Sequence, residues 1–141
     1  MTPDPIIDSL FDAAVAAREH AYAPYSGYCV GASLADESGR IFAGCNVENA
    51  AYPVGTCAEA GAIAAMAAGG GRRIAAILVL ADGPDLVTPC GACRQRIREF
   101  AGDATPVHLA DPTGVKRTVT LGELLPFAFG PDNLGRTGQG A

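Results

Sequence analysis

Three cysteines and one glutamate carry the most readable chemistry in this chain. Cys57 and Glu59 flank Ala58, and Cys90 and Cys93 bracket Gly91-Ala92 directly after Pro89. Three thiols on two segments can hold one zinc ion and leave its fourth position open, which suits catalysis better than a closed structural site. An ion so held lowers the pKa of a bound water from about 16 to about 7. A carboxylate two residues from a ligand lies near that open position without having to bind the metal. It can take a proton from the water and return it to a substrate nitrogen. The set is the minimum for a hydrolase that attacks a carbon bearing an amine.

The same residues have plainer readings. A Cys-x-x-Cys pair alone serves as a redox dithiol or as half of a structural zinc site. A four-cysteine site needs a second pair, and Cys57 has no partner at that spacing. Cys29 and Cys45 fall on expected strands, where a buried free cysteine is the commoner state. Thr56-Cys57-Ala58-Glu59 also fits a capping box, with Glu59 bonding back to the backbone of the cap residue. The adjacent Cys57 and the second cysteine segment favour the proton-shuttle role.

The elements that must position these groups follow from the apolar pattern. Ile6, Ile7, Leu10, Phe11, Ala14 and Val15 step by threes and fours, predicting a helix over 5–21. Strands are expected over 30–34 and 40–47, joined by the turn Asp36-Glu37-Ser38-Gly39. The alanine-rich stretch from Cys57 to Ala68 predicts a helix that ends at the triglycine 69–71. Ile74 to Ala81 is continuously apolar, as in a strand buried on both faces. A second helix opens at Cys90 or Gly91 and runs to about Ala101. Strands over 106–110 and 115–120 and a short helix near 121–125 complete the chain. The order implies an α/β domain with a mixed five-stranded sheet covered by helices. Strands joined through a helix are expected to pair in parallel. Both cysteine segments then fall at helix N-termini on one edge of the sheet.

Composition narrows the function classes. At 49% hydrophobic and 18% charged, the chain reads as globular and not disordered. Its 141 residues suit one domain spanning the whole chain, with 1–4 and 136–141 as flexible ends. A net charge of −5 with scattered Lys and Arg argues against a nucleic-acid partner. No apolar run suits a membrane span, and the acidic, proline-rich start is unlike a signal peptide. Five cysteines fit poorly with a complete disulfide framework, so a reducing, cytoplasmic setting is expected.

Several blocks together resemble the small cytidine deaminases that form homotetramers. Pro24-Tyr25-Ser26 before Val30-Gly31-Ala32, Gly44-Cys45-Asn46-Val47-Glu48-Asn49-Ala50 with Tyr52-Pro53, and Pro89 to Gln95 carry the likeness. So do Leu124-Leu125-Pro126 and Phe129-Gly130-Pro131. The resemblance covers about residues 22–137 and implies a three-layer α-β-α fold. It implies hydrolysis of cytidine and 2′-deoxycytidine to the uridines and ammonia, in pyrimidine salvage, by zinc-hydroxide attack at C4. Cys57, Cys90 and Cys93 would hold one Zn2+ per subunit, with Glu59 as proton shuttle. Asn46 and Glu48 would bind the sugar, and Tyr28 would pack on the pyrimidine where the family usually has phenylalanine. Backbone groups near Ala58 and Pro89 would read the cytosine edge. Phe129 and Tyr52 would approach the site of a neighbouring subunit.

Without the resemblance these residues have simpler readings: a solvated loop for Asn46 and Glu48, a tail anchor for Phe129, a sheet-face residue for Tyr28. His20 and His108 have no assigned role, and the arginines at 94, 96 and 98 read mostly as a solvated helix face. One departure from the family bears on the chemistry. The family commonly has an arginine directly after the catalytic glutamate, and here Ala60 stands there. The helix dipoles, with Arg94, are left to offset the charge of three thiolates. The departure keeps open a deaminase of modified cytosine nucleosides of the blasticidin type. A zinc or redox protein without catalysis and an editor of cytosines in nucleic acid are the readings from other classes.

Overall fold

The structure, a computed structural model, describes residues 4–136. Its first helix, α1 (Pro5–Arg18), starts where Asp4 accepts a hydrogen bond from the Ile6 N–H at 3.0 Å, with Pro5 in the first turn. It stops three residues short of the expected end. The Tyr22 N–H leaves the helical ladder and donates to the Asn46 carbonyl at 3.0 Å. At the other end the Arg136 N–H donates to the Pro131 carbonyl. Asp4 and Arg136, expected within flexible ends, are therefore both hydrogen-bonded; residues 1–3 and 137–141 lie outside the described residues.

The remaining elements run β1 (Val30–Asp36), β2 (Ile41–Cys45), α2 (Ala58–Ala68), β3 (Ile74–Ala81), α3 (Gly91–Phe100), β4 (Pro106–Asp111), β5 (Gly114–Thr120) and α4 (Leu121–Leu124). β1 and β2 form the expected antiparallel hairpin. Buried Asp36 closes its turn by accepting from the Ser38 and Arg40 N–H groups, and Gly39 supplies the required left-handed backbone at φ 86°.

The five-stranded mixed sheet has the order β2-β1-β3-β4-β5. One pairing expectation fails. β3 and β4, joined through α3, do pair in parallel, but β2 and β3, joined through α2, do not pair. The β1–β2 hairpin sits with β1 inward, so β1 lies between them and is antiparallel to both. β2 and β3 consequently point the same way. The chain leaves both at one edge of the sheet, which is where α2 and α3 begin.

Helices cover both faces of the sheet. Leu10 and Ala14 of α1 pack on Ala35, Ala76, Leu78, Leu80 and Ala110. On the opposite face Ala62, Ile63 and Met66 of α2 and Ile97 of α3 pack on Leu34, Ile77, Val107 and Leu109. Successive residues of β3 point to opposite faces, so its unbroken apolar run feeds both layers. Gly44 sets how closely α2 approaches β2. A Cβ there would lie 2.5 Å from the Ala62 N and 2.6 Å from the Ala58 carbonyl oxygen.

Candidate active site

The two cysteine segments meet at that edge. Cys57 is the N-cap of α2 and Cys90 the N-cap of α3, both extended and neither using its side chain as a cap. Cys93 lies one turn into α3 and is buried. The three sulfurs lie within 4.8 Å of one another, with Cys57 Sγ and Cys90 Sγ 3.9 Å apart. A tetrahedral zinc with bonds of about 2.3 Å to sulfur separates its ligands by about 3.8 Å, so the donor set fits that ion in type and spacing.

The electrostatics fit it as well. Burial, with Cys90 and Glu59, pushes the Cys57 thiol up against an opposing hydrogen bond with Cys93, and burial, Glu59 and both other thiols push Cys93 up. Burial opposes ionisation of Cys90 too. Hydrogen bonds from the Cys93 backbone and from the neighbouring thiols outweigh it and bring Cys90 down. Crowded thiols of this kind are deprotonated by a divalent cation coordinated between them.

Glu59 is only 3% exposed. Burial raises its carboxyl above the ordinary range, against the opposing pull of its own backbone N–H, the Cys93 thiol and the Arg96 charge. The capping-box reading does not hold. The N-cap is Cys57 and not Thr56, and the Thr56 N–H is taken by the Val47 carbonyl at 2.9 Å. Freed from capping, the Glu59 side chain lines a cavity of about 620 Å³ together with Cys57 and Cys90. A buried carboxyl whose proton affinity is raised is suited to carrying protons in both directions.

The cavity gathers most of the other expected residues. Asn46, Glu48, Tyr28, Tyr52 and Ala58 all line it. Asn46 is a cross-link: Oδ1 accepts from the Val30 N–H at 2.9 Å and Nδ2 donates to the Tyr28 carbonyl at 2.8 Å. Glu48 Oε1 accepts from the Tyr25 and Ser26 N–H groups at 2.9 and 3.1 Å, and the Ser26 hydroxyl donates to Oε2. The Ser26 bonds, foremost the hydroxyl, hold the Glu48 carboxyl below its ordinary value.

Two expected residues stand apart. Pro89 is buried outside the cavity lining, and its carbonyl accepts from Arg94 Nε at 2.7 Å. Phe129 is 59% exposed and does not line its own chain's cavity. Arg94 is not available to the thiolates. Its guanidinium is committed to Pro89, the Leu124 carbonyl at 2.8 Å and the Thr88 hydroxyl at 3.4 Å. Arg96 is exposed, as its reading as a solvated-face residue has it, and it also places NH1 3.6 Å from Cys93 Sγ. The three-residue step from 93 to 96 along a helix was the available signal. Ser26 was visible in the sequence only as part of a family block.

A cysteine cluster closed by Cys-x-x-Cys, with a non-ligating glutamate beside it at the N-termini of paired helices, is how zinc-dependent deaminases are built. Comparison with known proteins places the chain within that class. Residues 6–109 match the family described as the cytidine and deoxycytidylate deaminase zinc-binding region, and the chain belongs to that family. A cytidine deaminase of Sporosarcina psychrophila is 43% identical over 128 residues, covering 91% of this chain and 94% of its own. One from Mycobacterium tuberculosis is 38% identical, covering 95% and 97%. The crystal structure of a cytidine deaminase from Burkholderia pseudomallei superposes with a TM-score of 0.82 at 44% identity, covering 92% of this chain and all of that one. The chain is an enzyme of the cytidine deaminase family, a hydrolase with the α/β fold of that family.

Proposed function

We propose that this enzyme hydrolyses free cytidine and 2′-deoxycytidine to the corresponding uridines and ammonia. The observation that carries the reading is the cavity itself. Cys57, Glu59 and Cys90 line it beside the polar pair Asn46 and Glu48, with Val79 and Val87 supplying apolar wall. Among the described residues that line it there is no Lys, Arg or His, while two are glutamates. A phosphate would meet negative charge without a cation to hold it. A neutral nucleoside fits, and a nucleotide or a polynucleotide does not.

Cys57, Cys90 and Cys93 hold one Zn2+ per subunit in this reading, and the bound ion supplies activation of water at neutral pH. Glu59 accepts one proton from the attacking water and delivers it to the ring nitrogen, where it stays, then carries the water's second proton to the amine, which departs as ammonia. Its raised affinity for protons supports the donating half of that cycle. Glu48, kept ionised by the Ser26 and Tyr25 bonds, accepts from a sugar hydroxyl, and the remaining Asn46 amide N–H donates to the same sugar. Tyr28 packs along the pyrimidine, and the backbone at Ala58, in the cavity wall, reads its polar edge. Phe129 and Tyr52 are 59% and 75% exposed. Both are suited to packing against other subunits of a cytoplasmic homotetramer.

The test is a substrate panel. Purified zinc-loaded protein is mixed with cytidine, deoxycytidine, cytosine, CMP and blasticidin S, and the loss of ultraviolet absorbance is followed. Turnover of the two free nucleosides, with CMP inert, is expected. Turnover of blasticidin S alone, or of none of them, would overturn the proposal.

A further inference from the structure

Three cysteinate ligands carry three negative charges and a zinc ion two positive ones, so the loaded centre bears a net charge of −1. Removing such a charge partly from water is costly unless a cation or donor answers it. The N-termini of α2 and α3 answer part of it through their backbone N–H groups. The residue after Glu59 is Ala60 and contributes no charge. Arg94 has its guanidinium committed to two carbonyls and a hydroxyl. Arg96 is left: its NH1 lies 3.6 Å from Cys93 Sγ, and its positive charge also bears on Glu59.

We propose that Arg96 is the positioning residue of the metal centre, donating to the Cys93 thiolate and offsetting the negative charge of the loaded site. Cys93 and Arg96 are one turn apart on α3, so the contact is local and does not depend on a neighbouring chain. The guanidinium presents several N–H donors in one plane, which suits bonding to the sulfur one turn away. Arg96 touches neither substrate nor reacting atoms. It acts through the ligand, and its effect appears first in how tightly the ion is held.

The inference rests on Cys57, Cys90 and Cys93 being the zinc site, and the experiment separates the two claims. Zinc dissociation constants are measured at neutral pH by competition with a chromogenic chelator for wild type, Arg96→Lys, Arg96→Met and Arg96→Glu. The melting temperatures of the zinc-free proteins are measured alongside. Loss of a partner to a ligand typically weakens metal affinity by about 10- to 100-fold. Arg96→Met is expected to bind zinc about tenfold more weakly, Arg96→Glu more weakly still, and Arg96→Lys between Met and wild type, with zinc-free melting unchanged. Unchanged affinity in Arg96→Met would overturn the role, as would losses that ignore charge and track a lower zinc-free melting temperature. Wild type that fails to bind zinc would instead overturn the assignment of the site.

Discussion

Cys57 Sγ and Cys90 Sγ lie 3.9 Å apart although they are 33 positions apart in the chain. Each is the residue immediately before a helix, and the two helices start at one edge of the sheet because β2 and β3 point the same way. The β1–β2 hairpin produces that alignment without pairing β2 to β3. The distance between these sulfurs is thus a property of the sheet topology, and the site depends on how α2 seats against β2.

Gly44 is where that seating can be disturbed. In Gly44→Ala the new methyl would meet the Ala62 N at 2.5 Å and the Ala58 carbonyl oxygen at 2.6 Å, both backbone atoms of α2. Overpacking of this kind costs about 1–3 kcal/mol. Chemical denaturation should show a loss in that range, and chelator competition should show weaker zinc binding, since α2 carries Cys57. Unaltered stability and metal affinity would mean that α2 can shift without disturbing the centre.

Ser26 tests the sugar end of the cavity. Its hydroxyl is the foremost group holding the Glu48 carboxyl below 4.5. A group with a depressed carboxyl contributes stability above its unfolded value, and that contribution is lost as pH falls below about 4.5. Ser26→Ala should therefore raise the Glu48 value and make the acid loss smaller, complete at a higher pH. KM for cytidine should rise about two- to tenfold, the scale of one lost hydrogen bond, with kcat changed less. A fall in kcat with KM unmoved would contradict sugar binding by Glu48.

Much of the site was legible because its chemistry is local. The pairings Cys57 with Glu59 and Cys90 with Cys93 are short spacings, and helix N-termini were readable from the breakers before them. Arg96 was only partly legible: its three-residue step from Cys93 was in the sequence, but so were two other arginines on the same helix. Which of them turns to the sulfur depends on Arg94 being captured by Pro89, Thr88 and Leu124. The insertion of β1 between β2 and β3 was also hidden, because a helix-linked strand pair does not reveal what lies between. Asn46 read as a sugar-binding or loop residue, and its bonds to Val30 and Tyr28 exist only once the hairpin has formed. The early stop of α1 has the same origin, in the tertiary bond from Tyr22 to Asn46.

His108 gives a prediction away from the site. It is buried on β4, shares a hydrogen bond with the Thr118 hydroxyl at 2.8 Å, and burial lowers its pKa below 6.5 while the Asp4 charge opposes that. The unfolded chain therefore takes up a proton at a pH where the folded chain does not. Stability supported by neutral His108 is present above 6.5 and is lost as pH falls through the lowered folded value. Denaturation midpoints measured between neutral and mildly acidic pH should fall for wild type and fall less for His108→Gln. Parallel slopes for the two proteins would show that His108 is not the group responsible.

The central claim is that one centre, Cys57, Cys90 and Cys93 with Glu59, deaminates a cytosine nucleoside. Conversion of cytidine to uridine and ammonia should be measured for wild type and Glu59→Gln, with zinc content determined on the same samples. The account predicts one zinc per chain in both proteins, turnover by wild type that chelation abolishes, and a rate at least ~10²-fold lower in Glu59→Gln, the scale of general acid–base catalysis. A Glu59→Gln variant that keeps its zinc and the wild-type rate, or a wild type that is zinc-loaded yet releases no ammonia, would contradict it.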